Sequence, residues 1–373
     1  MKIMISAGEA SGDLHGAEIA AALYKICPKA EIIGMGGKAM RRAGVDVRYD
    51  IEKNSVMGFV EVVKNLRALF RLRDEMVETM RRENVDILVT VDYPDFNMRL
   101  AAKAKAAGIK IFSYIPPSAW AWRKGRAKKT AAIADKIAAI FPFEIDVYKK
   151  AGADIEFVGN PMVDTVKTSM EENAARKFFA VPQDKKIILL LPGSRVQEIQ
   201  KLLPVMLKAA ERLHEEDESY VFYLPAASTI PEKMLEKIIS AANLEVVITH
   251  EKTYDLMAIA DTAIATSGTV ILEAALLGLP SVVLYKMARL TYYIGRVLVR
   301  LPNFSLPNII AGERVLPELL QNEVTADNIV RELKKIAANA PQVRAKLAAV
   351  RERLGQSGAA ERAARLIVQT VQG

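Results

Sequence analysis

Leu191-Pro192-Gly193-Ser194-Arg195 decides how this chain is read. It closes the apolar run Lys186–Leu191, which has the length and composition of a buried strand, and it opens a long helical pattern. A second stretch of the same build follows, Ala265-Thr266-Ser267-Gly268-Thr269-Val270-Ile271-Leu272-Glu273. There Ser267, Gly268 and Thr269 end a strand, and Glu273 falls one turn into what comes next. Glycine lets a backbone approach a ligand closely, and a helix start offers unpaired N–H groups to an anion. Arg195 can pair bidentately with a diphosphate, and Glu273 is spaced to accept from ribose hydroxyls. Either stretch alone is common. Together, at two adjacent strand ends of one domain, they favour a nucleotide site over a structural explanation.

Working outward, strand-like runs recur on both sides, at Lys2–Ser6, Glu31–Gly34, Ile87–Val91, Lys110–Ile115 and Lys136–Ile140, then at Tyr220–Leu224, Glu245–Thr249, Thr262–Ala265 and Ser281–Tyr285. Helical patterns lie between them. Such alternation implies parallel sheets covered on both faces, with ligands outside the carboxyl ends of the strands. The 373 residues suit two domains. The expected architecture is α/β, two Rossmann-like domains facing across a cleft. Residues 1–165 form the first and 166–344 the second, and a helical tail from about 345 to 373 packs back on the first domain or on a partner's.

Hydrophobic residues make up 51% and charged residues 26%, normal for a soluble globular chain. A net charge of +8 favours an anionic partner. An aromatic content of 6% argues against single-stranded nucleic acid, which needs stacking platforms. The single Cys27 excludes an internal disulfide, and His15, His214 and His250 are too scattered for a histidine-built metal site. The opening, MKIMISAGEASGD, lacks a signal-peptide layout, and no apolar run approaches a spanning helix, so the expected location is cytoplasmic.

Gly8, Gly12 and Gly16 follow the first strand, with Ser11 or Asp13 placed to cap the helix there. The turn matches neither the dinucleotide fingerprint nor the P-loop, and reads equally as a ligand-facing loop or a plain tight turn. Asp92-Tyr93-Pro94-Asp95-Phe96-Asn97 is sharper. Asp92 ends an apolar strand, where a carboxylate can serve as general base or simply close a turn. Asp95 reads as a helix-start residue. Trp120 and Trp122, the only two tryptophans, join a basic patch with Arg123, Lys124 and Arg126; they could wall a sugar or lipid pocket or fill the core. Val56–Arg73 is amphipathic on a helix. Phe59, Val62, Val63, Leu66, Leu69 and Phe70 share one stripe, with Lys64, Arg67 and Arg71 opposite, which suits either core packing or adsorption to an anionic membrane. Ser305–Gly312 is an irregular insertion in which Asn308 could bond a base or sugar or simply order a turn.

These stretches, in order, carry a resemblance. AGEASGD (Ala7–Asp13), VMGFVEV (Val56–Val62), DYPDFN (Asp92–Asn97), WAWRKGR (Trp120–Arg126), FPFE (Phe141–Glu144), LPGSR, TSGTVILEAAL (Thr266–Leu276) and SLPNIIAG (Ser305–Gly312) resemble the lipid-A-disaccharide synthase family nearly end to end. The resemblance implies the GT-B fold and an inverting glycosyltransferase. It would condense UDP-2,3-diacylglucosamine with 2,3-diacylglucosamine 1-phosphate, giving lipid A disaccharide 1-phosphate and UDP. It implies Asp92 as the base and Arg195 as an arginine needed for activity. Gly193, Ser194, Arg195, Ser267, Gly268, Thr269, Glu273 and Asn308 would form the UDP site. On the acceptor or lipid side it places Gly8, Glu9, Ser11, Gly12, Met57, Phe59, Glu61, Trp120, Trp122 and Arg123. It makes Val62, Val63, Leu66, Leu69 and Phe70 a membrane patch on the cytoplasmic face of the inner membrane. No cofactor and no metal are expected, and a homodimer with exchanged tails stays open. Two departures stand out: Gly159-Asn160-Pro161 where many relatives have Gly-His-Pro, and Pro116 where Ser is usual. Rival readings are another UDP-sugar enzyme of this architecture, such as a peptidoglycan glycosyltransferase or a UDP-N-acetylglucosamine epimerase, or a non-catalytic nucleotide-sugar-binding protein.

Overall fold

A computed structural model describes residues 1–51, 62–119, 124–287 and 302–373; of 62–66 and 124 it describes the backbone only. The chain divides into two compact units, Met1–Pro161 with Gly355–Gly373, and Met162–Leu354.

Unit 1 is built on β1 (Lys2–Ala7), β2 (Glu31–Gly36), β3 (Asp46–Asp50), β4 (Ile87–Val91), β5 (Lys110–Tyr114), β6 (Lys136–Ala139) and β7 (Ile155–Phe157). They form a parallel sheet in the order β3-β2-β1-β4-β5-β6-β7. β4 is buried along its whole length, as expected of a central parallel strand covered on both faces. Successive side chains of β1 feed opposite cores. Ile3, Ile5 and Ala7 pack with the helix Ala10–Ile26, while Met4 packs with Met76, Val77 and Met80 of the helix Val62–Arg82. The last helix, Ala359–Gln372, completes the first of these cores by inserting Ala363, Ala364 and Ile367. Lys110 holds its end in place, the ammonium donating to the carbonyls of Thr370 (2.9 Å) and Val371 (3.2 Å).

Unit 2 repeats the plan with β8 (Lys186–Leu191), β9 (Tyr220–Pro225), β10 (Val246–Thr249), β11 (Thr262–Thr266), β12 (Ser281–Tyr285) and β13 (Glu318–Leu320), ordered β10-β9-β8-β11-β12-β13 and parallel throughout. In both sheets the order reverses beside the first strand, between β1 and β4 and between β8 and β11. That reversal opens the crevice where doubly wound folds take ligands.

The boundaries differ from the sequence expectation in two places. Met162–Thr165 belongs to unit 2, and so does the helix Ala340–Arg353, whose Val343, Leu347 and Val350 are buried. The segment returning to unit 1 therefore starts at Gly355, later than the expected 345, and packs on unit 1 of its own chain. Three strands escaped the sequence reading, β3, β7 and β13. Each lies at or next to a sheet edge, is five residues or fewer, and carries charged residues among its apolar ones, so no apolar run marks it.

Candidate active site and nucleotide site

At the reversal in unit 1, β1 runs into Gly8-Glu9 and β4 into Asp92-Tyr93. Asp92 and Tyr93 both take left-handed backbone (φ 46° and 50°), a conformation that costs about 1–3 kcal/mol at a non-glycine residue unless its surroundings enforce it. Asn97 supplies that enforcement. Buried in the first turn of the helix Pro94–Ala106, its amide donates to the carbonyls of Asp92 (2.7 Å), Ser6 (3.1 Å) and Val91 (3.3 Å), and its oxygen accepts from the Ser6 hydroxyl (2.7 Å). The ends of β1 and β4 are thus tied through one side chain. Gly8 closes the other side, since any Cβ there would overlap the Tyr93 ring.

Solvent reaches the Asp92 side chain, yet the surrounding loops exclude much of its water. That partial desolvation pushes its carboxyl above the ordinary value, offset in part by the Tyr93 N–H and by His15. A second carboxyl lies close by. Glu144, at the start of the helix Glu144–Lys149 after β6, is 2% exposed, and burial pushes it up to about 8. The N–H groups of Phe141 and Ile140 oppose that rise and the charge of Asp92 adds to it. At neutral pH burial keeps Glu144 largely protonated beside Asp92. His15, on the helix Ala10–Ile26, meets the Tyr114 ring edge-on at 6.3 Å.

Glu9 is the N-cap of that helix and is exposed, as is Ser11, whereas Gly12 is buried. Neither Ser11 nor Asp13 caps it. Asp13 turns away, and its carboxylate accepts from the N–H groups of Gly37 (2.6 Å), Ala39 (2.8 Å) and Met40 (3.1 Å), closing the next helix, Lys38–Arg42. Asp95 is exposed and paired with Arg126 at 2.7 Å, inside a helix that begins at Pro94. Met57, Phe59, Glu61, Trp120, Trp122 and Arg123 lie outside the described residues, as do the side chains of Val62, Val63 and Leu66. Leu69 packs on the unit 1 core, and Phe70 lies between the guanidiniums of Arg73 (5.1 Å) and Arg99 (5.5 Å).

At the reversal in unit 2, the turns after β8 and β11 are neighbours, as the sequence expectation had them. Gly193 has φ 111°, so a side chain there is strained. Arg195 is the N-cap of the helix Val196–Glu216, and its side chain is 80% exposed and paired with Glu198 at 2.7 Å. Ser194 is exposed, its carbonyl accepting from the Thr229 hydroxyl (2.9 Å). Gly268 caps the helix Thr269–Leu276 with extended backbone, and nothing lies within 4 Å of where its Cβ would be. Ser267 is half-buried and Thr269 exposed. The Glu273 carboxyl is half-buried and pushed upward by desolvation, and no described residue hydrogen-bonds to it.

Asn308 is different. It is fully buried, its amide donating to Leu316 and Glu318 (2.8 Å each) and its oxygen accepting from the N–H groups of Val315 (2.8 Å) and Leu316 (2.9 Å). Both ends of the amide are occupied within the unit. It orders the turn, with Glu318 anchoring the N–H groups of Phe304 and Ser305 beside it. Among the described residues no cluster of histidine, cysteine and acidic side chains could hold a metal ion, and no helix is long and apolar enough to cross a membrane.

Two parallel sheets, each reversing beside its first strand and each presenting polar turns there, define a GT-B-like protein. A UDP-N-acetylglucosamine 2-epimerase from Neisseria meningitidis, solved bound to UDP-GlcNAc, is similar in fold (TM-score 0.66, 14% identity, 100% of each chain). So is MurG from Acinetobacter baumannii (TM-score 0.60, 15% identity, 99% of each chain). The family model described as lipid-A-disaccharide synthetase matches residues 3–370, and the lipid-A-disaccharide synthase of Geobacter metallireducens is 40% identical over 99% of this chain and 97% of its own. The chain belongs to the lipid-A-disaccharide synthetase family, and its activity is that of a glycosyltransferase of lipid A assembly.

Asn97 and Glu144 went without a role in the sequence reading, although both lie in quoted motifs. The signal for Asn97 was an amide in the first helical turn after a strand-end acid. For Glu144, an acid directly after two aromatic residues, Phe141 and Phe143, gave no hint of burial by itself.

Proposed function

We propose that unit 1 supplies the base and unit 2 the anion site for a single inverting displacement. The 6-hydroxyl of 2,3-diacylglucosamine 1-phosphate gives its proton to Asp92, and its oxygen forms a bond to the anomeric carbon of UDP-2,3-diacylglucosamine. The bond from that carbon to the diphosphate breaks, and UDP leaves. Arg195 and the N–H groups at Ser267–Thr269 take up the negative charge developing on the diphosphate, where fixed donors contribute most. Glu273, lacking a protein hydrogen-bond partner among the described residues, accepts from the ribose hydroxyls. Asn308 serves by holding its segment in place.

The observation that carries this reading is the backbone of Asp92. A strained left-handed residue, braced by a buried amide and partly desolvated at the end of a central strand, is how a fold keeps a carboxylate aimed at a ligand. Membership of the family and the nucleotide sugar bound to the Neisseria neighbour support the donor class. The test is UDP release from the full chain with both lipid substrates, with and without EDTA. Release that needs acceptor, survives EDTA and collapses in Asp92→Asn supports a metal-independent base mechanism. Release without acceptor points to hydrolysis or epimerase-type chemistry, and binding without release to a non-catalytic protein.

The same reading puts the protein at the cytoplasmic face of the inner membrane, as a peripheral protein drawn by its net charge of +8 and the exposed Arg67 and Arg71. Co-sedimentation with anionic but not zwitterionic vesicles, lost at high salt, is the expected outcome. A homodimer is the remaining proposed partner, tested by light scattering of the full chain.

A further inference from the structure

In unit 2 an acidic side chain lies over the Gly193–Arg195 turn. Arg195, whose side chain is 80% exposed, is held by Glu198, which is only 23% exposed, with Nη1 2.7 Å from Oε1. The second oxygen of that carboxylate, Oε2, lies over the turn itself, 2.5 Å from the position a Cβ on Gly193 would occupy. Glu198 is the third residue of its helix, so it starts beside the unpaired N–H groups of the first turn. One carboxylate thus faces both the guanidinium and the left-handed glycine, the two elements of LPGSR that recommend it for a diphosphate.

We propose that Glu198 is a placeholder for the donor's diphosphate: its carboxylate fills the anion position of the Gly193–Arg195 turn and holds Arg195 until phosphoryl oxygens displace it. This rests on the reading of that turn as the diphosphate site. A diphosphate carries more charge than a carboxylate and offers several oxygens, so it takes over the guanidinium bidentately. The exchange has a cost, since each UDP that binds breaks an internal ion pair and each UDP that leaves allows it to re-form. Glu198 therefore weakens the hold on UDP and hastens loss of the product. It is a positioning residue, acting on the ligand through Arg195.

The experiment is calorimetric titration of the full chain with UDP, in wild type, Glu198→Gln, Arg195→Ala and the double variant, with melting temperatures measured alongside. Glu198→Gln keeps the side-chain shape and its capacity to cap the helix while removing the charge. The expected result is UDP binding roughly 5-fold tighter or more than in wild type, with stronger product inhibition. That gain should vanish in the Arg195→Ala background, where no pair exists to break. A role limited to capping the helix would lower the melting temperature and leave UDP affinity unchanged or weaker. UDP affinity equal to or weaker than wild type, in a Glu198→Gln protein with native melting, overturns the placeholder. Should that variant melt early, Glu198→Asp, which keeps the charge but draws back from Arg195, is read in its place with the same expectation. A wild-type-like affinity in Arg195→Ala instead removes the donor-site reading on which the proposal stands.

Discussion

The two units answer the same topological problem with opposite chemistry. In both, the sheet order reverses beside the first strand and two turns meet at the strand ends. Unit 1 builds its second turn from Asp92 and Tyr93, non-glycine residues in left-handed backbone, stabilised by a buried amide. Unit 2 builds both of its turns on small residues, with left-handed Gly193 in one and extended Gly268 in the other, and sets a cation at the helix start. A strained acid is suited to taking a proton from a substrate. A relaxed glycine turn with a guanidinium is suited to receiving an anion. The proposed division of labour would then follow from which residues tolerate which backbone.

The strongest way to break this contrast is to remove the acid. Asp92→Asn preserves the shape of the turn but cannot accept a proton as a carboxylate does. Turnover should fall by about 10²–10⁴, while UDP affinity measured by titration stays at the wild-type value. Retained turnover would leave unit 1 without a base. Next comes the opposite half. Arg195→Ala should lower turnover by roughly 10²–10³ and weaken UDP binding, with melting unchanged because the side chain is exposed. If the two variants affected UDP binding equally, the proposed separation of roles between the units would fail.

The sequence went far on one kind of evidence and stopped on another. Long apolar strands announce themselves, so the central strands of both sheets and the adjacency of the β8 and β11 turns were legible from LPGSR and ATSGTVILE outward. Short edge strands such as β3 and β7 carry mixed residues and were not. Among site residues, Asp92, Arg195 and Glu273 could be placed because strand ends fix where they emerge. Asn97, Glu144 and Glu198 could not, since their roles depend on burial and on partners distant in sequence or one turn along. The same limit explains Asp13, which caps a helix beginning at Lys38 rather than its own, and Asn308, whose amide partners are set by the turn around it.

Glu144 turns the acidic half into a prediction about pH. Its ordinary value of 4.5 is raised to about 8 in the folded chain, chiefly by burial. Below 4.5 the folded and unfolded chains both hold the proton, so this group adds no pH dependence to stability. Between 4.5 and about 8 only the folded chain holds it, so wild-type stability falls as pH rises through that window. Glu144→Gln keeps a neutral side chain at every pH and should remove this loss. Its melting temperature should exceed that of wild type by several degrees at pH 9 and converge with it near pH 4. A constant offset across pH would mean that Glu144 titrates in the folded chain as it does in the unfolded one, and that its burial does not raise it.

The finest test sets the two glycines of unit 2 against each other. Gly193→Ala puts a side chain on left-handed backbone and drives its Cβ to within 2.5 Å of Glu198 Oε2 and 3.2 Å of Thr266. The expected loss of stability is about 1–3 kcal/mol, reduced where Glu198 can swing outward. Gly268→Ala meets neither obstacle, for its backbone is extended and its surroundings are open to 4 Å. Its stability should stay within about 0.5 kcal/mol of wild type, as read by denaturant unfolding. UDP binding, however, should weaken in Gly268→Ala, because the methyl enters the space left above the start of the Thr269–Leu276 helix. A glycine kept for conformation and a glycine kept for a ligand would then be told apart by which of two measurements moves. If Gly268→Ala moved neither, the N–H groups at Ser267–Thr269 would lose their place in the diphosphate site, and Arg195 would carry the anion alone.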